Sequence, residues 1–367
     1  MIRNPKPVPQ SVHDRRTLLA LQDLSLDEKV AVTQDRIIEW YNYWNGHVAV
    51  SFSGGKDSTV LLHIARKLFP DIMAVYCDTG LEFPEAKEFV KTIPKVDIVR
   101  PKMNFRDVIL QYGYPLVSKE VGTTIRYARN NIDDESKGKT SRNKALELFG
   151  KRMYGDEACK FNKKKWLPLA YTPFRIDSYC CDVMKKSPLH MYTADHKVTM
   201  YVGILTTESR MRRQKWLQHG CNSYVSRNPT SQPMAFWTED DVLNYIQREG
   251  IEIAPCYGDI VKEYGWWTTT KVKRTGCVFC GFGLANRTET RFRKLSETHP
   301  KLYDYCMKGG EWINNPDYDP TLTLTPNKIG WIPWNPKKLW VPTASGLGMK
   351  YVFDCVNAIY GQDTIKY

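Results

Sequence analysis

Two groups of residues in this sequence have types and spacings that do chemistry. One is Ser53-Gly54-Gly55-Lys56-Asp57-Ser58, which follows the apolar run Val48-Ala49-Val50. The other is the pair Cys180-Cys181 taken with Cys277-Val278-Phe279-Cys280. In the first group, two glycines permit a tight turn and close approach of backbone to a ligand. Ser53, Ser58 and Thr59 add hydroxyls, and Lys56 adds a compact positive charge. The apolar pattern Val60, Leu61, Leu62, Ile64, Ala65, Leu68 then predicts a helix, whose first amides face the turn and favour a phosphate there. No glycine precedes a Gly-Lys-Ser/Thr at the spacing of the mononucleotide P-loop, so that motif is excluded. Ser51, Ser53, Gly54, Gly55, Lys56, Asp57 and Ser58 are the candidate phosphate-binding residues, with Lys56 and Asp57 also candidates for catalysis.

The spacing of Cys277 and Cys280 lets two thiolates chelate one metal centre, and Gly276 and Gly281 free the backbone for the turn this requires. Adjacent cysteines such as Cys180 and Cys181 are unusual for structural zinc, which favours separated pairs, and four thiolates also suit an iron–sulfur cluster. Taken alone, the first pair is equally two buried, inert thiols.

The elements that must position these groups follow a strand–helix rhythm. Residues 1–46 read as a helical lead-in, with Val30, Val32, Ile37, Ile38, Trp40, Tyr41 and Trp44 on a helical pattern. Strands are predicted at the run ending in Ser51, at Ile72–Cys77 and at Val96–Pro101, with a helix from Glu82-Phe83-Pro84-Glu85 onward. Such alternation predicts a parallel sheet with right-handed crossovers and ligands beyond the strands' carboxyl ends. Asp78-Thr79-Gly80 stands at one such end. Asp78 suits a ribose hydroxyl or Mg²⁺, or caps the turn. A further β-like run, Met200–Ile204, ends in Thr206-Thr207-Glu208-Ser209-Arg210-Met211-Arg212-Arg213, a hydroxyl and cation cluster suited to phosphate or sulfate. Asn130–Lys139 reads as a mobile loop or an exposed connection. Lys160-Phe161-Asn162-Lys163-Lys164-Lys165-Trp166 reads either as a phosphate-and-base surface or as a solvated charge run.

Composition narrows the partners. The chain carries 53 Lys and Arg against 40 Asp and Glu, a net charge of +13, which raises the prospect of a polyanion such as tRNA or DNA. Eleven Trp and 21 Tyr exceed what a core of this size needs, so some are expected on binding surfaces. There is no apolar run of about 18 residues to span a membrane, and Met1–Pro7 lacks the apolar core of a signal peptide. A cytoplasmic protein is expected, and ten cysteines in a reducing compartment read as metal-binding, catalytic or buried thiols.

These residues resemble the phosphoadenosine phosphosulfate (PAPS) reductase family of the PP-loop ATP pyrophosphatase superfamily, whose loop reads Ser-Gly-Gly-x-Asp-Ser. The resemblance spans about residues 46–285. After the loop it runs through Asp78-Thr79-Gly80 with Phe83 and Glu85, then Cys180-Cys181 with Lys185-Lys186 and Pro188-Leu189. It continues with Gly203, Glu208-Ser209 and Arg212, then Trp237, Asp241-Val242, Tyr245, Pro255 and Tyr257, and ends at Gly276-Cys277 with Cys280. The resemblance implies a Rossmann-like α/β fold, a parallel sheet with helices on both faces. It implies nucleotide contacts from Asp78, Thr79, Gly80, Gly203, Glu208 and Arg212. In cluster-bearing members it implies one [4Fe–4S] cluster on Cys180, Cys181, Cys277 and Cys280, with Lys185 as the basic residue facing the anionic substrate. Two departures stand out. Leu205 occupies a position where the family usually has Arg. The Glu-Cys-Gly-x-His motif that carries the reductases' nucleophile is absent from the sequence, and neither Cys306 nor Cys355 sits in such a string.

The organisation expected is a helical lead-in over 1–46, a PP-loop domain over 47–285, and a basic, aromatic extension over 286–367. Arg287, Arg291, Arg293 and Lys294 open that extension, and Trp312, Trp331, Trp334 and Trp340 suit a nucleic-acid or partner surface, a lid or a packed tail. The leading function is ATP-dependent adenylation with pyrophosphate release followed by sulfur transfer. It would use ATP, Mg²⁺, a [4Fe–4S] cluster with zinc as the fallback, and a sulfur-donor or reductant protein. The alternatives are a reductase of adenylyl sulfate or its 3′-phosphate, and a non-catalytic nucleotide-binding module of a complex.

Overall fold

A computed structural model of the chain describes residues 13–129, 139–151, 162–225, 228–286, 289–322, 332–362 and 364–367. Of the stretches singled out above, Asn130–Gly138, Lys160, Phe161, Arg287 and Trp331 lie outside the described residues. The chain forms two compact units, each made from two segments: Met1–Pro101 with Ser187–Gly276, and Lys102–Lys186 with Cys277–Tyr367. Among the described residues no helix is long and apolar enough to cross a membrane.

In the first unit, helices α1 (Arg15–Gln22) and α2 (Leu26–Tyr43) lead into β1 (Val48–Ser51), α3 (Lys56–Leu68), β2 (Met73–Cys77), α4 (Pro84–Thr92) and β3 (Val96–Val99). The second segment supplies α5 (Ser187–His196), β4 (Thr199–Val202), α6 (Arg210–His219), β5 (Asn222–Ser223), β6 (Thr230–Ser231), α7 (Glu239–Glu249) and the pair β7 (Ile260–Glu263) and β8 (Trp266–Thr269). The six-stranded sheet has the order β3-β2-β1-β4-β6-β5. Its pairings are parallel except β5 on β6, so the expected parallel α/β sheet is present. Val48, Ala49 and Val50 are all buried, as a strand covered on two faces requires. Ala49, Val75 and Met200 share one face with Tyr192 of α5. Tyr201, one residue on and so on the opposite face, donates its hydroxyl to the Ile37 carbonyl of α2 at 2.7 Å. Helices therefore cover both faces.

Helix α2 begins with a reciprocal cap. The Ser25 amide donates to Glu28 Oε2 at 2.8 Å, and the Glu28 amide to Ser25 Oγ at 3.4 Å. It is fixed to α7 by a bond from buried Lys29 Nζ to Asp241 at 2.8 Å, and to the preceding turn by Trp237 Nε1 donating to Thr33 Oγ1 at 2.9 Å. The strand order reverses between β1 and β4, and a parallel sheet opens a ligand crevice there, beyond the carboxyl ends.

In the second unit, the segment Leu116–Val117 pairs in parallel with Gly281–Phe282. Gly281 packs against the Pro115 carbonyl so closely that a Cβ would stand 2.1 Å from its oxygen. The helix Lys119–Arg129 buries Val121, Ile125 and Ala128. Arg129 donates to the carbonyls of Leu169, Ala170 and Phe174 at 2.8–3.0 Å, and burial pulls its pKa down to about 9.

In the basic run before Trp166, Lys164 and Lys165 are exposed, as a solvated charge run would be, but Lys163 is not. Lys163 is buried and ion-paired to buried Glu147, and Trp166 packs edge-on against Tyr360. A carboxylate remote in sequence captures the charge that the linear run left unpaired. Aromatics of the extension pack on one another, although Trp312 stays 45% exposed. The hairpin Glu311–Asn314 with Lys338–Val341 sets Trp312 and Trp340 on Tyr351, at ring separations of 5.3 and 4.6 Å. Trp334 Nε1 donates to the Thr172 carbonyl at 2.8 Å.

Candidate functional site

Strand β1 delivers the loop to the carboxyl edge of the sheet, where the Phe52 amide donates to the Val75 carbonyl at 2.9 Å. Gly54 then turns with φ +68°, and a Cβ there would stand 2.8 Å from Val90 Cγ2. Gly54→Ala combines a left-handed backbone with that clash. It is expected to cost about 1–2 kcal/mol in chemical denaturation, with nucleotide affinity falling alongside. Gly55 is confined for a different reason. A Cβ would lie 2.8 Å from Thr275 Oγ1 and 3.1 Å from Ser53 Oγ, filling the cradle itself. The turn is closed by its own polar groups. The Ser53 amide donates to Ser58 Oγ at 3.2 Å, the Gly55 amide to Ser53 Oγ at 3.3 Å, and Ser58 Oγ to the Gly55 carbonyl at 2.9 Å. Burial of Val60, Leu61, Ile64 and Ala65 anchors α3 behind it, at about 1.5–3 kcal/mol for each larger side chain. Gly203, at the end of β4, lets the neighbouring strand abut the start of α3; a Cβ would stand 3.1 Å from the Asp57 carbonyl.

Lys56 is 2% exposed. Its amide donates to Tyr257 Oη at 3.0 Å, and its ammonium reaches the Lys273 carbonyl at 2.7 Å and Glu239 Oε1 at 3.0 Å. Burial disfavours the charged amine, but Asp57, Tyr257 and Glu239 outweigh it and raise the pKa, so Lys56 is a fixed cation. Asp57 is the opposite case. Its Oδ1 is shut from solvent and has no hydrogen-bond partner among the described residues. Burial raises its pKa against the pull of Lys56, Arg274 and Arg212, and Glu239 raises it further. Arg212 and Arg274 both pair with Glu208, Arg274 at 3.2 Å, while Glu208 Oε2 accepts from the Leu205 amide at 3.1 Å. An orphaned carboxylate oxygen beside an anion cradle suits Mg²⁺, which is held by one or two carboxylates together with phosphates.

Asp78, Thr79 and Gly80 form a network of their own at the end of β2. Asp78 Oδ1 accepts from the Gly80 amide at 3.3 Å, and Asp78 pairs with Lys87 at 2.8 Å and Arg100 at 3.3 Å. Burial would raise its pKa, but Lys87, the Gly80 amide and Arg100 hold it below the ordinary value. Thr79 Oγ1 donates to Glu82 Oε1 at 2.7 Å.

The four motif cysteines all belong to the second unit, and none is in a disulfide. Cys180 and Cys181 precede a widened helical turn, Asp182–Lys186, which carries Lys185. The Cys280 amide donates to the Cys277 carbonyl at 3.0 Å, closing the second pair's turn, and Arg291 Nη1 donates to the Cys280 carbonyl at 2.8 Å. Cys180 shares its proton with Cys181; that bond, with burial and the charges of Cys181, Cys280 and Cys277, drives the Cys180 pKa up. The same bond, with the Lys119 ammonium bonded to the sulfur and the nearby charge of Lys185, brings the Cys181 pKa down. Burial raises Cys280, and Arg291 offsets part of that. Among the described residues, no three His, Cys, Asp or Glu side chains converge to hold one metal ion. A tetrahedral zinc would bring its thiolates to about 3.8 Å of one another. The donor set agrees in kind with a thiolate-ligated iron–sulfur group, four sulfurs with Lys119 and Lys185 to offset their charge.

Residues 47–109 and 125–280 match the phosphoadenosine phosphosulfate reductase domain. The chain belongs to the PAPS reductase family. An uncharacterized protein of Methanocaldococcus jannaschii is 37% identical over 71% of this chain and 46% of its own length. Phosphoadenosine 5′-phosphosulfate reductase of Xylella fastidiosa strain M23 is 30% identical over 23% of this chain and 35% of its own length. Sulfate adenylyltransferase subunit 2 of Hyphomonas neptunium is 23% identical over 60% of this chain and 58% of its own length. The chain thus spans between about a third and three fifths of the length of these curated relatives.

Within this PAPS reductase-family frame, Leu205 is buried in the core, so the side chain at that position offers no anion contact. The sequence motifs did not single out Glu239, Arg274 or Lys119. Arg274 left a faint signal, the basic pair Lys273-Arg274 just ahead of Thr275-Gly276-Cys277. Lys119 left none, because its role depends on the pairing of Leu116–Val117 with Gly281–Phe282.

Proposed function

We propose that this PAPS reductase-family protein binds ATP at Ser51–Ser58, splits it to adenylate an acceptor, and takes part in sulfur transfer to the activated position. An acceptor oxygen attacks the α-phosphorus, the bond to the bridging oxygen breaks, and pyrophosphate leaves. A sulfur nucleophile then displaces AMP. The observation that carries this reading is a buried cation, Lys56, beside a buried carboxylate with an orphaned oxygen, Asp57, where the glycine turn enters α3. Lys56 would neutralise charge developing on the phosphates, and Asp57, with Glu239, would hold Mg²⁺ against them. Gly203, Glu208 and Arg212 would line the same pocket. Cys180, Cys181, Cys277 and Cys280 would hold a [4Fe–4S] cluster, whose chemistry when bound would be to carry or activate sulfur. Lys119 would orient the Cys181 ligand. Lys119→Met is therefore expected to lower the iron and sulfide retained through anaerobic purification about tenfold or more, read by metal analysis and the visible spectrum.

The test of the main reading is pyrophosphate release from ATP and Mg²⁺, measured with and without tRNA or DNA. Release above the rate of a Lys56→Ala control supports it; no release with any acceptor sinks it. The relatives named as reductases favour a second reading, sulfite release from adenylyl sulfate or its 3′-phosphate. Against it, Cys306 is fully buried with its thiol on Met349 Sδ at 3.3 Å, and burial raises the Cys355 thiol as well. Sulfite release that survives Cys306→Ser and Cys355→Ser would assign the nucleophile elsewhere.

A further inference from the structure

The segment between Tyr257 and Thr275 leaves the nucleotide loop and returns to it. At its start, Tyr257 Oη accepts from the Lys56 amide at 3.0 Å. At its end, the Lys273 carbonyl accepts from Lys56 Nζ at 2.7 Å, and Thr275 Oγ1 bonds Tyr257 Oη at 3.0 Å. Between these ties runs the antiparallel pair β7 and β8, in register from Ile260 on Thr269 to Glu263 on Trp266. Two-residue turns of this kind need a left-handed backbone, and Tyr264 and Gly265 supply it at φ +51° and +86°. The arm is braced at its base. The Trp267 amide donates to Asp240 Oδ1 at 2.6 Å, and Thr269 is buried.

The tip departs from what folding requires. Tyr264 is fully exposed and Trp266 is 68% exposed. A two-stranded ribbon gains nothing in stability from large rings held out in water, and exposed aromatics of this kind mark contact surfaces. The flanking charge is mainly positive. Lys262, Lys271, Lys273 and Arg274 outnumber Asp259 and Glu263 along the same segment, in a chain of net charge +13. Exposed rings interleaved with cations are the composition that binds an unpaired strand, the rings stacking on bases and the cations following phosphates.

We infer that the arm over residues 260–274 binds single-stranded nucleic acid, with Tyr264 and Trp266 stacking on bases and Lys262 and Lys271 on the backbone. The inference rests on the adenylation reading for its purpose, since it names the acceptor class, but its geometry is independent of ATP. The arm's two ends are bonded to the loop that would carry ATP, so a strand held at the tip belongs to the same unit as that loop.

The test is fluorescence anisotropy of the full chain with labelled oligo-dT and oligo-U of about 20 nucleotides, a duplex of the same length, and ATP binding in parallel. Expected is saturable, salt-sensitive binding, tighter for single strands than for the duplex. The double variant Tyr264→Ala/Trp266→Ala should weaken it by about tenfold or more, with ATP binding unchanged. Tyr264→Phe/Trp266→Phe should restore most of the affinity, which a merely structural role of the hydroxyl and indole nitrogen would not. Wild-type affinity in the alanine variant, or no saturable binding by the unmodified chain, overturns the inference. So does binding of the rings to anionic phospholipid vesicles without binding to either oligonucleotide. Pyrophosphate release without oligonucleotide binding overturns the arm's role alone. Ring-dependent oligonucleotide binding without ATP binding supports the arm and overturns the adenylation reading.

Discussion

Lys56→Ala is expected to lower pyrophosphate release by about 10²–10³, while weakening ATP binding far less. The reason is where the charge sits. Lys56 is almost wholly buried and held cationic by Asp57, Tyr257 and Glu239. A preorganised donor of this kind acts most strongly on charge that develops during reaction, and the loss of one such donor costs about that factor. The substitution also leaves Glu239 without its partner, but the Glu239 side chain is 41% exposed and water can replace the ammonium. The stability loss is therefore modest, about 1 kcal/mol, compared with the about 3–5 kcal/mol for breaking a fully buried pair. Lys56→Arg should not restore the rate, because a planar guanidinium does not reproduce the ammonium's bonds to the Lys273 carbonyl and Glu239. The decisive comparison is single-turnover release against equilibrium ATP binding. A fall in binding that accounts for the whole fall in rate would remove Lys56 from the chemistry.

Asp57→Asn is expected to stabilise the ligand-free protein and to disable it. The wild-type carboxylate carries a buried oxygen without a partner, and its pKa is raised. In acid both folded and unfolded chains hold the proton, and the site costs nothing. Above the ordinary value of 3.8 the unfolded chain loses its proton first, so stability falls as pH rises toward the folded-state value. The melting temperature of Asp57→Asn should therefore match wild type at the acid end and exceed it increasingly toward neutrality, by about 2–4 °C per kcal/mol relieved. Added Mg²⁺ with ATP should reverse the ranking, because only the carboxylate gains a cation. A constant difference across pH, or equal stabilisation of both proteins by Mg²⁺ and ATP, would contradict this account. The arrangement is a binding site kept at the expense of stability.

Much of the first site was legible because its parts are local. An apolar run, a glycine turn and a helical pattern are adjacent in sequence, and they fold as β1, the loop and α3. The strands at Met73–Cys77 and Val96–Val99 were readable for the same reason. What escaped are partners brought from afar. Glu239 and the Lys273 carbonyl meet Lys56 only because α7 and the arm return to the loop. Lys163 looked like part of a solvated charge run, yet Glu147 takes it into a buried pair. The C-terminal tryptophans suited a partner surface, a lid or a packed tail alike, and only the hairpin shows Trp312 and Trp340 laid on Tyr351, with Trp312 still 45% exposed. Counting residue types cannot distinguish an aromatic that packs on another from one that waits in water, whereas Trp266 shows the second case.

The ties between Lys56 and the segment Tyr257–Thr275 carry a thermodynamic obligation. A phosphate that recruits the single N–H of the Lys56 amide must take it from the Tyr257 hydroxyl, at the start of that segment. Occupying the loop and loosening the arm are then two sides of one equilibrium. Linkage makes such a relation reciprocal: whatever factor a phosphate imposes on the arm's freedom, a load on the arm imposes on phosphate affinity. The protein's two grips would thus report on each other without any large rearrangement, through the exchange of hydrogen bonds at a single lysine.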